Sequence, residues 1–472
     1  MLPTYFAPLV LLGGALASSA GSIYLMMFFC LFGAAAAISL PALGGSCITP
    51  AVMFLPFLML RALKKMPAHE AFHVSRPALW LGLTATWGAV SAYYLPRFFA
   101  DATKILTVDR ASDSDIVTLF PLRPVSGNIT QTGYAFGALA AFLAMRTLLR
   151  ERHGLTHFRN AVLLLAMLNV AAAVIHVGEF YSGLTLLKYV RTAGYAMFDA
   201  YEEAGLVRIQ GTFSEASAFA LFTLPLFAFA FNLWIRKVRP FYSGAVALAT
   251  LAALLLSTSG TAYVGLGMYG MFFGIALLLR GMDQRKVPRA RALAVAACLA
   301  LVAVGAAFML ETEIAERITR FFDHTVAKKL NSDSGVERSS WNRQAWENFL
   351  DTYGLGTGLG SARASSFALV LLSNLGVIGS VLFGGFILQV FGGGRAPVHP
   401  VSPVVAASRH AVLAGLAGAL MSASVFDLGV GFYCFAAAAS VVDVKHARTV
   451  PRPLVTVPRL APLVSEPGDA RV

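Results

Sequence analysis

"RIQGTFSEASAFALFTLPLFAFAFNLWIRKVRP", residues 208–240, passes from a polar stretch through a 20-residue apolar run, 216–235, into a basic cluster. A helix needs ~20 apolar residues to cross the hydrocarbon layer of a bilayer, so this run has the length of one span. Arg208 and Glu215 stand at one mouth of it with Gly211 between them, and Arg236, Lys237 and Arg239 stand at the other. Charges at such a border are either anchors or chemistry, and the rest of the chain has to decide which.

The pattern recurs. The chain has 472 residues, of which 57% are hydrophobic and 13% charged, with a mean hydropathy of +0.69. Soluble domains carry about 25% charge. Apolar runs at 3–20, 22–42, 46–61, 78–96, 129–149, 159–178, 216–235, 241–257, 260–280, 290–310, 366–391, 408–426 and 428–443 read as membrane helices. The first sixty residues divide into three short helices or two long ones, so the expectation is an all-α, polytopic membrane protein of 12 or 13 spans. Run 3–20 ends in small residues as a cleaved signal does, but it lacks a basic start and leads straight into the next run, so it reads as the first span. Cys30, Cys47, Cys298 and Cys434 all lie in apolar segments without a CxxC pair. They read as small buried hydrophobes, and neither a disulfide framework nor a zinc site is expected.

Orientation follows from Lys and Arg. Alternate connections (61–77, 146–159, 236–240, 280–291, 391–409 and the tail) hold 23 basic residues against 6 acids. The intervening loops 97–128, 179–215 and 311–365 hold 14 basic residues, against 18 acids when Asp427 is counted. The net charge of +13 is thus a topology signal, not a nucleic-acid footprint. The basic connections are expected to face the cytoplasm, including a disordered tail at 444–472, and the others the exterior.

On that exterior side lie the candidate functional residues. Loop 311–365 is the largest, and such length usually carries function. Ile314, Ile318 and Phe321 or Phe322, then Trp341, Ala345 and Phe349, recur at helical spacing. Two amphipathic surface helices joined by "HTVAKKLNSDSGVE" are expected. Next comes "YGLGTGLGSARASS", whose GxGxGxG pattern lacks the strand and spacing of a dinucleotide site. Gly358, Gly360 and Ser361 form either an anion-holding turn or a hinge before a membrane helix. Arg208, Arg338, Arg343 and Arg363 flank apolar or Gly-rich segments. Their guanidinium forks suit phosphate or pyrophosphate, or else pair with headgroups and carboxylates. Glu215, just inside a membrane helix, either pairs with Arg208 or serves as a base. His324 is the rival base, because imidazole titrates near neutrality. "LLLSTSGTAYVGL", 254–266, interrupts an apolar run with hydroxyls; Ser259 and Thr261 either satisfy the turn or line a sugar-binding cleft. Asp427 marks a further exterior turn.

Taken together, "RIQGTFSEASAFA", "STSGTAYVGL" and "ERSSWNRQAWENFLDTYGLGTGLGSARASS" followed by "LLSNLGVIGSVLF" resemble the O-antigen polymerase and ligase family of membrane glycosyltransferases. The resemblance covers about a third of the chain and lies in the order and spacing of its pieces. It implies action on undecaprenyl-pyrophosphate-linked glycans at the periplasmic face of the bacterial inner membrane, by metal-independent, cofactor-free transfer with inversion at the sugar carbon. The implied partners are that lipid-linked oligosaccharide, membrane lipid and a chain-length regulator or export protein, with no nucleic acid. Arg208 and the loop arginines would hold the pyrophosphate, and Glu215 or His324 would take the acceptor proton. Ligase-like members tend to carry Ser-Arg where this chain has Ser259-Gly260, and the Phe213-Ser214-Glu215 core is that of a polymerase, so the expectation leans to an exopolysaccharide or O-antigen repeat-unit polymerase. Polymerases often show Glu-Pro-Ser where this chain has Glu215-Ala216-Ser217. A ligase is the close alternative, and a secondary transporter or flippase the alternative of another class.

Overall fold

Within apolar segments, backbone N–H and C=O groups find partners only in a helix or a closed sheet, and the chain takes the helical route. The computed structural model describes residues 2–40, 46–66, 74–108, 117–194, 202–203, 206–279, 333–392 and 402–441. The expected span 290–310, the first surface helix near 314–322, His324 and the tail 444–472 lie outside the described residues.

Thirteen α-helices are present among the described residues: α1 (Phe6–Leu16), α2 (Ser19–Phe29), α3 (Pro50–Lys65), α4 (Arg76–Phe98), α5 (Ser126–Leu149), α6 (Gly154–Ser182), α7 (Ala216–Ile235), α8 (Pro240–Leu256), α9 (Gly260–Leu279), α10 (Asp333–Asp351), α11 (Phe367–Gly392), α12 (Pro403–Ser422) and α13 (Val430–Ala439). Of these, α5, α6, α7, α11 and α12 are long and apolar enough to cross a membrane. The all-α polytopic architecture is therefore that of the structure. Proline sets several starts, at Pro50 of α3, Pro240 of α8 and Pro403 of α12, where the missing N–H costs nothing and φ is already helical.

At the centre, α7 packs against α8 and α12, and α9 lies against both α7 and α12. Small residues allow this closeness. A Cβ placed on Gly265 of α9 would stand 3.6 Å from the Cα of Gly418 of α12. Edge-to-face rings fill the layer behind: Phe158 of α6 meets Phe229 of α7 and Phe435 of α13. One end of the bundle is basic. There Lys65 pairs with Glu151 at 3.9 Å, and Arg159 feels the charge of Arg239 across the α7–α8 turn. The candidate residues at the starts of α7 and α9 lie at the far end.

Several boundaries depart from the sequence reading. Runs 3–20 and 22–42 give helices of only 11 residues each, about 16 Å against a hydrocarbon layer of about 30 Å. Helix α2 stops at Phe29, and Cys30–Ala37 continues irregularly although Ala34 to Ala37 are fully buried. Run 428–443 yields the 10-residue α13. Helix α10 begins at Asp333, inside the segment expected to be a linker. Loop 97–128 holds an antiparallel hairpin, β4 (Lys104–Val108) with β5 (Val117–Pro121), which the sequence reading did not foresee. Short strands β1 (Leu2–Pro3), β2 (Ile38–Leu40) and β3 (Ser46–Ile48) form a three-stranded sheet beside the irregular segment, and β6 (Glu202–Glu203) pairs with β7 (Leu206–Val207).

Candidate functional site

An irregular backbone buried among membrane helices must find its hydrogen bonds elsewhere in the protein. For Cys30–Ala37 some are local turns, and the rest come from distant segments. Ala34 N–H donates to Thr212 C=O (3.2 Å), the Thr212 hydroxyl donates to Leu31 C=O, and Ala193 N–H donates to Ala34 C=O (3.0 Å). Thr192 accepts the Ala36 N–H at 3.1 Å, and Thr4 donates to Ala36 C=O at 2.6 Å. The loop before α7 is thereby fixed to a broken helix. Phe213 packs so tightly on Gly33 that a Cβ there would lie 2.5 Å from its ring.

Gly211 turns the chain into this platform with φ +55, a conformation that costs most other residues strain. Its carbonyl takes a fork from Arg191, with Nε at 3.0 Å and Nη2 also in reach. Sequence reasoning passed over Arg191, which carries no local signal because its partner lies twenty residues on. Gln210 N–H approaches His176 Nδ1 of α6 at 3.4 Å. Arg208, half-buried, precedes this turn.

Glu215 is the N-cap residue of α7, with extended backbone. Its carboxylate accepts the hydroxyl of Ser217 and forms no ion pair with Arg208. Helix α7 starts at Ala216, so residues 208 and 215 do not share a helical face. A carboxylate at the positive end of a helix, engaged by a hydroxyl but by no cation among the described residues, is left with an open oxygen for a ligand.

The α8–α9 turn lies at the same end. Ala220, Leu254 and Ala262 share one apolar cluster with Ala414 of α12, so the first turns of α7 and α9 are neighbours. Ser259 and Thr261 are 1% and 4% exposed, and neither side-chain oxygen has a hydrogen-bond partner among the described residues. Arg338 of α10 reaches the end of α12, its Nη1 standing 3.5 Å from Met421 C=O. A Cβ on Gly418, one turn earlier, would lie 3.0 Å from Leu221 of α7, and one on Gly265 of α9 would lie 3.6 Å from the Gly418 Cα. The structure thus joins Glu215, the hydroxyl turn and Arg338 through the adjoining ends of α7, α9 and α12.

The glycine loop is built differently. Gly356, Gly358 and Gly360 all have positive φ, and a Cβ at 360 would lie 2.2 Å from Gly127 C=O of α5. The amides face inward: Gly358 N–H donates to Asn374 C=O (3.0 Å), and Gly360 and Ala362 N–H donate to Asn374 Oδ1 (3.1 Å each). Ser361 accepts from Asn128 Nδ2 (2.8 Å) and donates to Thr357 C=O (2.9 Å). Gly358, Gly360 and Ser361 therefore lock the loop onto α4, α5 and α11. Arg363 is anchored by its backbone to β4, donating to Leu106 C=O at 3.0 Å. Arg343 is 81% exposed beside Glu347, at 3.7 Å on the solvent face of α10. It is not gathered with Arg338.

Asp427, in the connection between α12 and α13, is the second carboxylate at this end. Burial pushes its carboxyl up to about 6, against the Gly429 amide, which pulls it down. Compared with known proteins, the chain matches no family model and no curated sequence.

Proposed function

We propose that this protein is a polymerase joining undecaprenyl-pyrophosphate-linked oligosaccharide repeats at the periplasmic face of the inner membrane. One observation carries the reading: cationic, carboxylate and hydroxyl side chains collect at the far end of an apolar helical bundle, opposite the basic end, around a helix that breaks at Cys30. The order of the sequence motifs supports the same reading. In the proposed reaction an acceptor sugar hydroxyl attacks the donor's anomeric carbon and loses its proton to a base. The bond from that carbon to the pyrophosphate oxygen breaks, and the electron pair leaves with the lipid diphosphate.

Arg208 and Arg338 would neutralise the charge growing on that leaving group, a form of preorganised electrostatic stabilisation worth several kcal/mol in a site that excludes water. Glu215 would bind or deprotonate the acceptor, with Ser217 fixing its rotamer. Ser259-Gly260 in place of Ser-Arg favours polymerase over ligase. The broken segment at Cys30–Ala37 also suits a carrier, since transporters interrupt helices around their substrates. In cells, Arg208→Ala should cut polymer by at least about 10²-fold, the scale of losing one transition-state donor, with protein abundance and lipid-linked single repeats retained. Normal chain lengths in that variant would remove the pyrophosphate role.

A further inference from the structure

Asp427 has no part in the reaction as written, yet it is an ionisable group in the α12–α13 connection that faces residues of α3, α5 and α13. Its surroundings are specific. The backbone N–H donates to Gln131 Oε1 of α5 at 3.3 Å, and Oδ1 accepts the Gly429 N–H at 2.9 Å. Among the described residues no cation pairs with it. It borders a cavity of about 20 Å³ together with Val52, Leu55, Gly133 and Tyr134. A single water needs about 10–15 Å³ and polar partners. The carboxylate can provide one of these, and the Tyr134 hydroxyl, which donates to Cys47 C=O at 3.3 Å, can accept as another.

The turn itself does not explain the acid. Its bond to Gly429 N–H is that of an Asx turn, and asparagine makes the same bond without an ionisable group. The connection Ala423–Gly429 begins two residues after Met421, whose carbonyl receives Arg338. At its other end Gly431 lies against Cys30, where a Cβ would meet Sγ at 3.8 Å. The next residue, Leu31, holds Thr212 of the loop that carries Glu215. One short loop therefore bridges the arginine and the broken helix.

We infer that Asp427 is the proton acceptor of the proposed transfer, its free oxygen taking the acceptor-hydroxyl proton as the new glycosidic bond forms and the lipid diphosphate departs. The inference rests on the polymerase reading. Glu215, already engaged by Ser217, then holds the acceptor. A carboxyl raised to about 6 by burial is largely ionised at neutral pH and basic enough to act. Among the described residues, the titratable groups facing it are Tyr134 on α5 and Tyr433 on α13, and α3 presents Val52 and Leu55 to the cavity.

The test uses full-length protein in liposomes with a lipid-linked repeat as substrate. Asp427→Asn, which preserves the turn, should lower the polymerisation rate by about 10²–10⁴-fold, the range for losing a general base, with unchanged melting temperature. The wild-type rate should rise through pH 6 as Asp427 deprotonates, and the variant should lose that acid limb. Asp427→Glu should recover part of the rate. An Asp427→Asn enzyme at the wild-type rate would overturn the inference, as would a loss that Asp427→Glu does not relieve and that leaves the acid limb in place. Glu215→Gln alone being inactive would move the base to Glu215 and leave the polymerase reading standing. Absence of polymer from the wild-type protein would instead end that reading.

Discussion

Replacing Asn374 by alanine isolates the side chain that holds the glycine loop. Asn374 is 1% exposed. Its Oδ1 accepts two backbone amides, Gly360 and Ala362, and its Nδ2 donates to the carbonyls of Ala362 (2.9 Å) and Val370 (3.0 Å). Removing the side chain orphans both amides inside the protein. Each unsatisfied group costs about 1–3 kcal/mol. Backbone bonds from Thr357 to Ser373 and from Gly358 to Asn374 survive the substitution and keep the loop in register. The expected loss is therefore about 3 kcal/mol, near the lower half of the summed range, because water can reach a loosened loop. Denaturant unfolding of the purified protein in detergent, followed by tryptophan fluorescence, measures it. Trp87 donates to Leu375 C=O, the residue after Asn374, at 2.9 Å and so reports on this contact. A loss below about 0.5 kcal/mol, the level of an ordinary surface substitution, would refute the assignment of the loop to internal packing.

Gly360→Ala attacks the same junction from the other side. With φ +83 and a Cβ position 2.2 Å from Gly127 C=O, it should prevent accumulation of folded protein in the membrane, read by immunoblot and protease resistance. Normal abundance would mean that α5 and the loop are not in contact. Ser334→Cys, at the first turn of α10, should react with a membrane-impermeant thiol reagent added to intact cells whose outer membrane has been opened. Labelling only after lysis would invert the orientation drawn from the basic connections.

How legible each part was depended on the distance over which it is determined. The class of fold was readable from composition, and the ends of α7 from a single stretch, since an apolar run bounded by Glu215 and Arg236 allows little else. The break at Cys30 was not. "CLFGAAAA" has the same hydropathy coiled or extended, and the irregular segment is held by hydrogen bonds to Thr4, Thr192 and Thr212, none of them local. Glycine spacing at 354–360 announced a special backbone, but whether its amides faced a ligand or the protein was set by Asn374, on the next helix. Arg191 was passed over, and Asp427 was read only as an exterior turn, for the same reason. A lone charge in a loop becomes meaningful only when the fold supplies Gly211 for the one and a cavity for the other. The β4–β5 hairpin was passed over because its two strands lie in a loop read only for its charge.

The most direct measurement places purified protein in liposomes with a chemically defined undecaprenyl-pyrophosphate-linked repeat and follows products by gel. The account predicts a ladder of lengthening chains with release of undecaprenyl pyrophosphate, both abolished by Arg208→Ala. Movement of the intact lipid-linked repeat across the bilayer without any ladder would contradict it.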